Sequence, residues 1–249
     1  MPFTRRTYIA FDLEIYKIID TDFSQWRRHR PLGITCAATS TRDGQVRVWC
    51  GIGGNGLAGF QPAGSLPTGS QPADCMLKQE AVGLVEYLED EVRQGAMILT
   101  WNGLSFDFNV LAEESGLHDR CRALAMDHVD MMFHIFCEKG FPLGLDKAAK
   151  GMGLPGKPAG MSGALAPKLW HEGQRQQVLD YVRQDVETTL AIAQPVEKYK
   201  QLKWTSNSGK PQVLSLPDGW LTVREALQLT EPDTSWMSHP LSRQEFMDW

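Results

Sequence analysis

The 249-residue chain contains no apolar run approaching the roughly 18 residues that a membrane-spanning helix needs, so no helical bilayer span is expected within it. Its five cysteines, at positions 36, 50, 75, 121 and 137, form no Cys-x-x-Cys pair and are odd in number. A disulfide framework is therefore not expected, and the thiols read as reduced and mostly buried. Histidine is scarce. The one suggestive spacing, His134-x-x-Cys137, lacks two further ligands at zinc-binding separation and reads as a helical turn with two half-buried side chains. A surplus of positive charge is missing too: 25 Lys and Arg stand against 30 Asp and Glu, a formal charge of −5. The opening Met1-Pro2-Phe3-Thr4-Arg5-Arg6 runs straight into a strand pattern with no signal-peptide core, which gives a cytoplasmic expectation. The remainder is ordinary for a soluble globular protein, with 42% hydrophobic and 22% charged residues and enough length for a sizeable core.

The pattern along the chain is α/β. Strands are expected at about 7–16, 32–40 and 45–50, the last two joined through Arg42-Asp43-Gly44 as an antiparallel hairpin. A helix is expected over about 75–93, with Leu77, Ala81, Leu84, Val85, Leu88 and Val92 on one side, followed by a strand at 96–101. A further helical pattern runs from about Gln174 to Pro195, with Val178, Tyr181, Val182, Val186, Leu190 and Ile192 in helical spacing.

Carboxylates in three separated segments stand out against this background. Asp12 and Glu14, in YIAFDLEIY, lie two apart in a run of β-formers, and strand side chains alternate faces, so both point the same way. Burying two acids on an otherwise apolar strand is costly unless cations or protons neutralise them. Asp107, in WNGLSFDFNVL, follows the 96–101 strand and a turn-like Asn102-Gly103, so it falls near a helix start just past a strand end, where ligands of open α/β sheets collect. Asp185, in YVRQDVETTL, follows Tyr181 by four residues, which places phenol and carboxylate about one turn apart on one helix face, roughly 6 Å along its axis. Such acids look like the ligands of a two-metal phosphodiesterase, whose ions sit about 3.5–4 Å apart and generate a nucleophilic water while stabilising phosphate charge. Hard oxygen donors suit Mg²⁺ or Mn²⁺. With the four acids set aside the rest of the chain carries a formal −1, and two divalent cations would reverse the sign of the site, so the acidic total does not exclude a nucleic-acid substrate.

These segments resemble the exonuclease motifs of the DEDD (DnaQ-like) superfamily in its tyrosine branch. FDLE is similar to the first motif, Asn102 through Phe106-Asp107 to the second, and Tyr181-x-x-x-Asp185 to the third. The histidine branch would place His where this chain has Asp180. His128-Val129-Asp130-Met131 and Leu145-Asp146-Lys147 agree with the same group, which includes stand-alone exonucleases related to the exonuclease region of family B DNA polymerases. The resemblance covers about residues 5–195 and implies an RNase H-like mixed five-stranded sheet flanked by helices, over residues 1–198. It also implies a 3′-to-5′ exonuclease releasing nucleoside 5′-monophosphates from single-stranded or frayed DNA or RNA ends, with two divalent cations, Mg²⁺ or Mn²⁺. Asp12, Glu14, Asp107 and Asp185 would then be metal ligands and Tyr181 would align the nucleophile. Leu13, Asn102, Phe106 and Lys157 would contact substrate, although a solvent-exposed lysine and plain core or turn residues are the simpler reading of these four. Proofreading would require a polymerase or repair partner.

Other features compete for function. Gly51-x-Gly53-x-x-Gly56 copies a dinucleotide fingerprint after a strand, but Leu57 to Gly64 is too rich in glycine and proline to form the required helix, so a surface loop over 51–72 is expected. Gly151 to Gly160 reads as a second loop. Arg27-Arg28-His29-Arg30 and the lysines at 147, 150, 157 and 168 are basic clusters that suit either phosphate or a solvated face. Residues 199–249 form a C-terminal extension holding Trp204, Trp220, Trp236 and Trp249, with a hairpin turn at Ser206 to Gly209 and a short helix at Val223 to Leu229. Its aromatics anchor the extension to the main domain, form a base-stacking platform, or make a dimer contact. The rival to the enzyme reading is a non-catalytic RNase H-like module that binds nucleic acid or protein; an endonuclease of the same broad fold is a third.

Overall fold

A computed structural model describes residues 6–51, 61–62, 74–157 and 160–249. Gly53 and Gly56 of the glycine motif, most of the expected 51–72 loop, and Pro158-Ala159 of the second expected loop lie outside the described residues.

Strand β1 (Thr7–Ile15) is central, because it alternates two sets of side chains that each need cover. It pairs antiparallel with β2 (Ile34–Thr41) and parallel with β5 (Ala96–Thr100). Outside β2 lie β3 (Val46–Cys50) and the two-residue β4 (Gln61–Pro62), and outside β5 lies the short β6 (Val129–Asp130), giving the order β4-β3-β2-β1-β5-β6. The sheet is mixed and flanked by helices, with β4 bringing the strand number to six. The 42–44 turn closes the β2–β3 hairpin, with Gly44 at φ +84° supplying the left-handed conformation.

One face of β1, through Ile9, Phe11, Leu13 and Ile15, packs in a core with α1 (Lys78–Arg93), α2 (Asp107–Ser115) and α3 (His118–Asp127). The other face, through Tyr8 and Ala10, packs with α7 (Arg175–Tyr199) and the shorter α4 (Met131–Lys139), α5 (Leu145–Gly151) and α6 (Ala166–His171). Asp12 and Glu14 therefore belong to the α7 side.

Four expectations are corrected. Helix α1 starts at Lys78 rather than 75, where the Glu80 carboxylate accepts the Leu77 N–H at 2.6 Å; Leu77 and Val92 at its two ends are exposed, so its apolar stripe is Ala81 to Leu88. Gly151 closes α5 instead of opening a loop, and a Cβ there would lie 2.2 Å from the Lys203 carbonyl oxygen, so glycine lets the next hairpin pack on α5. Helix α7 runs through Pro195 to Tyr199, because one missing N–H is outweighed by burial of Ile192, Ala193 and Val196; it ends at Lys200 with φ +55°. The C-terminal helix α8 is short, Val223–Ala226, capped by Thr222 and Glu225.

Residues beyond α7 form the antiparallel hairpin β7 (Gln201–Thr205) and β8 (Pro211–Ser215), turning at Ser206 to Gly209. Trp204 and Trp220 are buried in the α7-side core, and the Trp249 indole donates to the Leu104 carbonyl at 3.0 Å. Among the described residues no helix is long and apolar enough to cross a membrane.

Candidate active site

A cleft of about 430 Å³ opens at the end of β1, and all nine residues singled out from the sequence line it: Asp12, Leu13, Glu14, Asn102, Phe106, Asp107, Lys157, Tyr181 and Asp185. Three local reasons bring them together. The first is the strand alternation that sends Asp12 and Glu14 toward α7, beside an irregularity in the β1–β2 register between Glu14 and Ile15. Leu13 points its side chain into the opposite core, and its backbone N–H donates to Asp107 Oδ1 at 3.1 Å.

The second is the loop from β5 to α2, which the sequence marked only by Asn102-Gly103. Asn102 takes φ +81°, and its N–H donates to Asp130 Oδ1 at 3.0 Å, while the Leu104 N–H donates to Asp130 Oδ2 at 2.9 Å. The same Asp130 carboxylate caps α4 by accepting from Phe133 N. Thr100 Oγ1 accepts from Gly103 N at 3.0 Å and donates to His128 Nε2 at 2.9 Å; the His128 Nδ1–H donates to the Ala125 carbonyl. Burial pushes His128 down to about 3, so it stays neutral in this tautomer. Gly103 completes the fit, since a Cβ there would lie 2.4 Å from Thr100 Oγ1. This buried network aims α2 so that its first residue, Asp107, meets β1.

The third is helical periodicity. Tyr181 and Asp185 are one turn apart on the buried face of α7, and Thr189, one turn further, also lines the cleft. Asp180, one residue before Tyr181, is exposed and bonded to Gln176. Lys157 arrives from the loop after α5, where its N–H donates to Asp146 Oδ1 at 2.8 Å. Its ammonium donates to Asp185 Oδ2 at 2.6 Å and to the Tyr181 hydroxyl, and sits over the Tyr181 ring.

The spacing of Thr189 from Asp185 was available in the sequence. No such signal marked Phe23 or Trp101, two more walls of the cleft, since one comes from the 3₁₀ turn Phe23–His29 and the other from the end of β5. The basic cluster of that turn is largely structural: Arg27 donates to the Asp248 and Glu245 carbonyls and to Ser105, and Arg30 meets Asn109 and Glu113. His134 is likewise structural, its Nδ1 accepting from Leu221 N.

The electrostatics are those of a site short of positive charge. Asp12 is raised well above its ordinary range, first by burial and then by Asp107, Asp185 and Glu14. Glu14 is raised by burial and by Asp185, with Lys157 opposing. Asp107 is pushed up to about 7 by burial, against the pull of the Leu13 N–H, with the nearby Asp130 adding to the rise. Burial raises Asp185 despite the ammonium beside it, and burial followed by Asp185 raises Tyr181, so its phenol keeps its proton. Lys157 offsets only part of this repulsion. Among the described residues no three Asp, Glu, His or Cys side chains close on a single point as an ion cage does. The donor set still suits hard divalent ions: Asp12, Glu14, Asp107 and Asp185 offer carboxylate oxygens, the lining holds no thiol or imidazole, and a cation would relieve the buried like charges.

Comparison with known proteins bears on the fold. Residues 74–196, just under half of the chain, match the sequence profile of the RNase_H superfamily. The fold is RNase H-like. Among solved structures, the RNase H-like chain is similar to the family B DNA polymerase from the hyperthermophilic archaeon Pyrobaculum calidifontis, at 16% identity and a TM-score of 0.51. That likeness covers 78% of this chain and 25% of the polymerase chain, so the protein spans about a quarter of that relative. No curated protein sequence matches the chain.

Proposed function

We propose that this protein is a 3′-to-5′ exonuclease that releases nucleoside 5′-monophosphates from single-stranded DNA or RNA. The observation that supports this most is the convergence of Asp12, Glu14, Asp107, Asp185 and Tyr181, from three distant segments, on one cleft at the end of the central strand. The RNase H superfamily match and the polymerase likeness agree with nuclease chemistry.

The four acids would hold two divalent cations, Mg²⁺ or Mn²⁺, which when bound supply an activated water and stabilise charge on the phosphate. The chain's own groups do the positioning. The Tyr181 hydroxyl, kept protonated among acids, can donate to or accept from an attacking water and hold it in line. Lys157 Nζ, already between the Tyr181 oxygen and Asp185, places a positive charge where phosphate oxygens would arrive. Asn102 and Phe106, which line the cleft, would meet the terminal nucleotide, with Phe106 braced edge-on by Trp26 at 5.0 Å.

Purified protein should shorten a 5′-labelled single strand from its 3′ end with Mg²⁺ or Mn²⁺, and should do nothing in EDTA. Asp12→Ala should be inert while keeping its fold. Cleavage of a circular single strand, or full activity in Asp12→Ala, would overturn this assignment; binding without hydrolysis would favour the non-catalytic module.

A further inference from the structure

A second, larger cleft of about 830 Å³ adjoins the first and shares Gly144 and Asp146 with it as walls. This volume lies within the roughly 300–1,000 Å³ typical of ligand sites. Its opposite side is built by the C-terminal residues: Trp204 at the end of β7, the Ser206 to Lys210 turn, and Trp236. Three aromatic rings form a row. Trp204 is buried at 5% exposure, Phe141 stands 6.5 Å from it, and Trp236 stands 6.3 Å from Phe141 at 75°.

Trp236 is the unusual member. Its indole is 65% exposed, so folding gains little from it, yet its Nε1 donates to the Asp233 carbonyl at 3.1 Å, which orients the ring. An oriented, uncovered indole offers a stacking face at low entropic cost. Charge on the walls favours an anion: Lys147 and Lys210 face a single acid, Asp146, which is already paired with Lys150 at 2.6 Å and with the Lys157 N–H. Amide and hydroxyl groups of Asn207, Ser206, Ser208 and Gln212 complete the lining. Flat aromatic faces, lysines and neutral hydrogen-bonding groups, continuous with a cleft that takes a strand end, are the elements of a single-stranded nucleic-acid channel.

We infer that this second cleft holds the nucleotides upstream of the terminal one, with a base stacked on Trp236 and backbone phosphates near Lys147 and Lys210. The inference rests on the exonuclease reading of the first cleft. It gives the C-terminal residues a role in gripping the strand, and it makes substrate length matter.

The test compares wild type, Trp236→Ala, Trp236→Phe and Lys210→Ala. Binding of a fluorescent single-stranded octamer is measured by anisotropy in EDTA, and hydrolysis is measured on the octamer and on the p-nitrophenyl ester of thymidine 5′-monophosphate, which is too short to reach the second cleft. Trp236→Ala should weaken octamer binding roughly 5- to 150-fold, the range that loss of one stacked base carries. Trp236→Phe should restore most of it, and both should hydrolyse the short ester as wild type does. Lys210→Ala should lower the slope of log affinity against log salt by about 0.7 for one phosphate contact. Wild-type octamer affinity in Trp236→Ala would overturn the inference, whatever the hydrolysis shows. Weakened binding in a protein that hydrolyses neither substrate would sustain the channel and reject the exonuclease, so the two ideas fail separately.

Discussion

Asp107→Asn tests whether the acidic cluster is a liability to the cation-free protein that only its chemistry justifies. Asp107 is buried, its folded value of about 7 lies far above its ordinary 3.8, and burial is the first cause. The folded state therefore binds the proton more tightly than the unfolded state. The carboxyl costs little below about pH 4, and stability is lost as pH rises toward and through 7. A shift of about 3 units corresponds to an upper figure of about 4 kcal/mol at pH 8, falling under about 1 kcal/mol at pH 4. Asparagine is isosteric and keeps an oxygen for the Leu13 N–H. In EDTA at pH 8 the variant should thus melt higher by up to roughly 8–16 °C, at about 2–4 °C per kcal/mol for a chain of this size. The gain should shrink toward zero at pH 4, and divalent-dependent hydrolysis should fall by on the order of 10² or more. Calorimetric melting at the two pH values, with the oligonucleotide assay, measures both. A variant less stable than wild type at pH 8, or a gain independent of pH, would refute the account of the cluster as buried, repelling charge.

Mg²⁺ or Mn²⁺ should stabilise the wild type by about 2.7 kcal/mol at 100 times its dissociation constant, and much less in Asp107→Asn; a melting curve insensitive to either ion would remove the cation proposal. Tyr181→Phe should keep its stability, since the ring stays packed, while octamer hydrolysis drops on the order of tenfold to a hundredfold; an unchanged rate would show that the hydroxyl positions nothing. Gly103→Ala should cost about 1–3 kcal/mol, read by denaturant titration, and depress hydrolysis although it touches no cleft acid, because its methyl would displace Thr100 and the loop that aims Asp107. A stable, fully active variant would show that this loop tolerates movement.

Local regularity made much of this protein legible. Asp12 and Glu14 share a face because a strand has period two, and Tyr181 and Asp185 share one because a helix has period near 3.6. The β2–β3 hairpin announced itself through Asp43-Gly44, since a left-handed turn position calls for glycine. Features decided by partners distant in sequence were not readable. Helix α7 passes Pro195 because a core holds its last turn, and β5 reaches its loop geometry only through Asp130, Thr100 and His128, buried polar groups whose mates lie 26–28 residues away.

The sequence by itself determined which faces the acids occupy, because side-chain direction follows from backbone period alone. Tertiary structure decided that those faces meet: the parallel pairing of β1 with β5 and the packing of α7 across β1 bring three segments to one strand end. It also decided where Lys157 goes and what stands beside the cleft. A lysine in a glycine-rich loop and a tryptophan near the C-terminus carry no periodic signal, and each acquires its neighbours only when burial elsewhere fixes the chain around it.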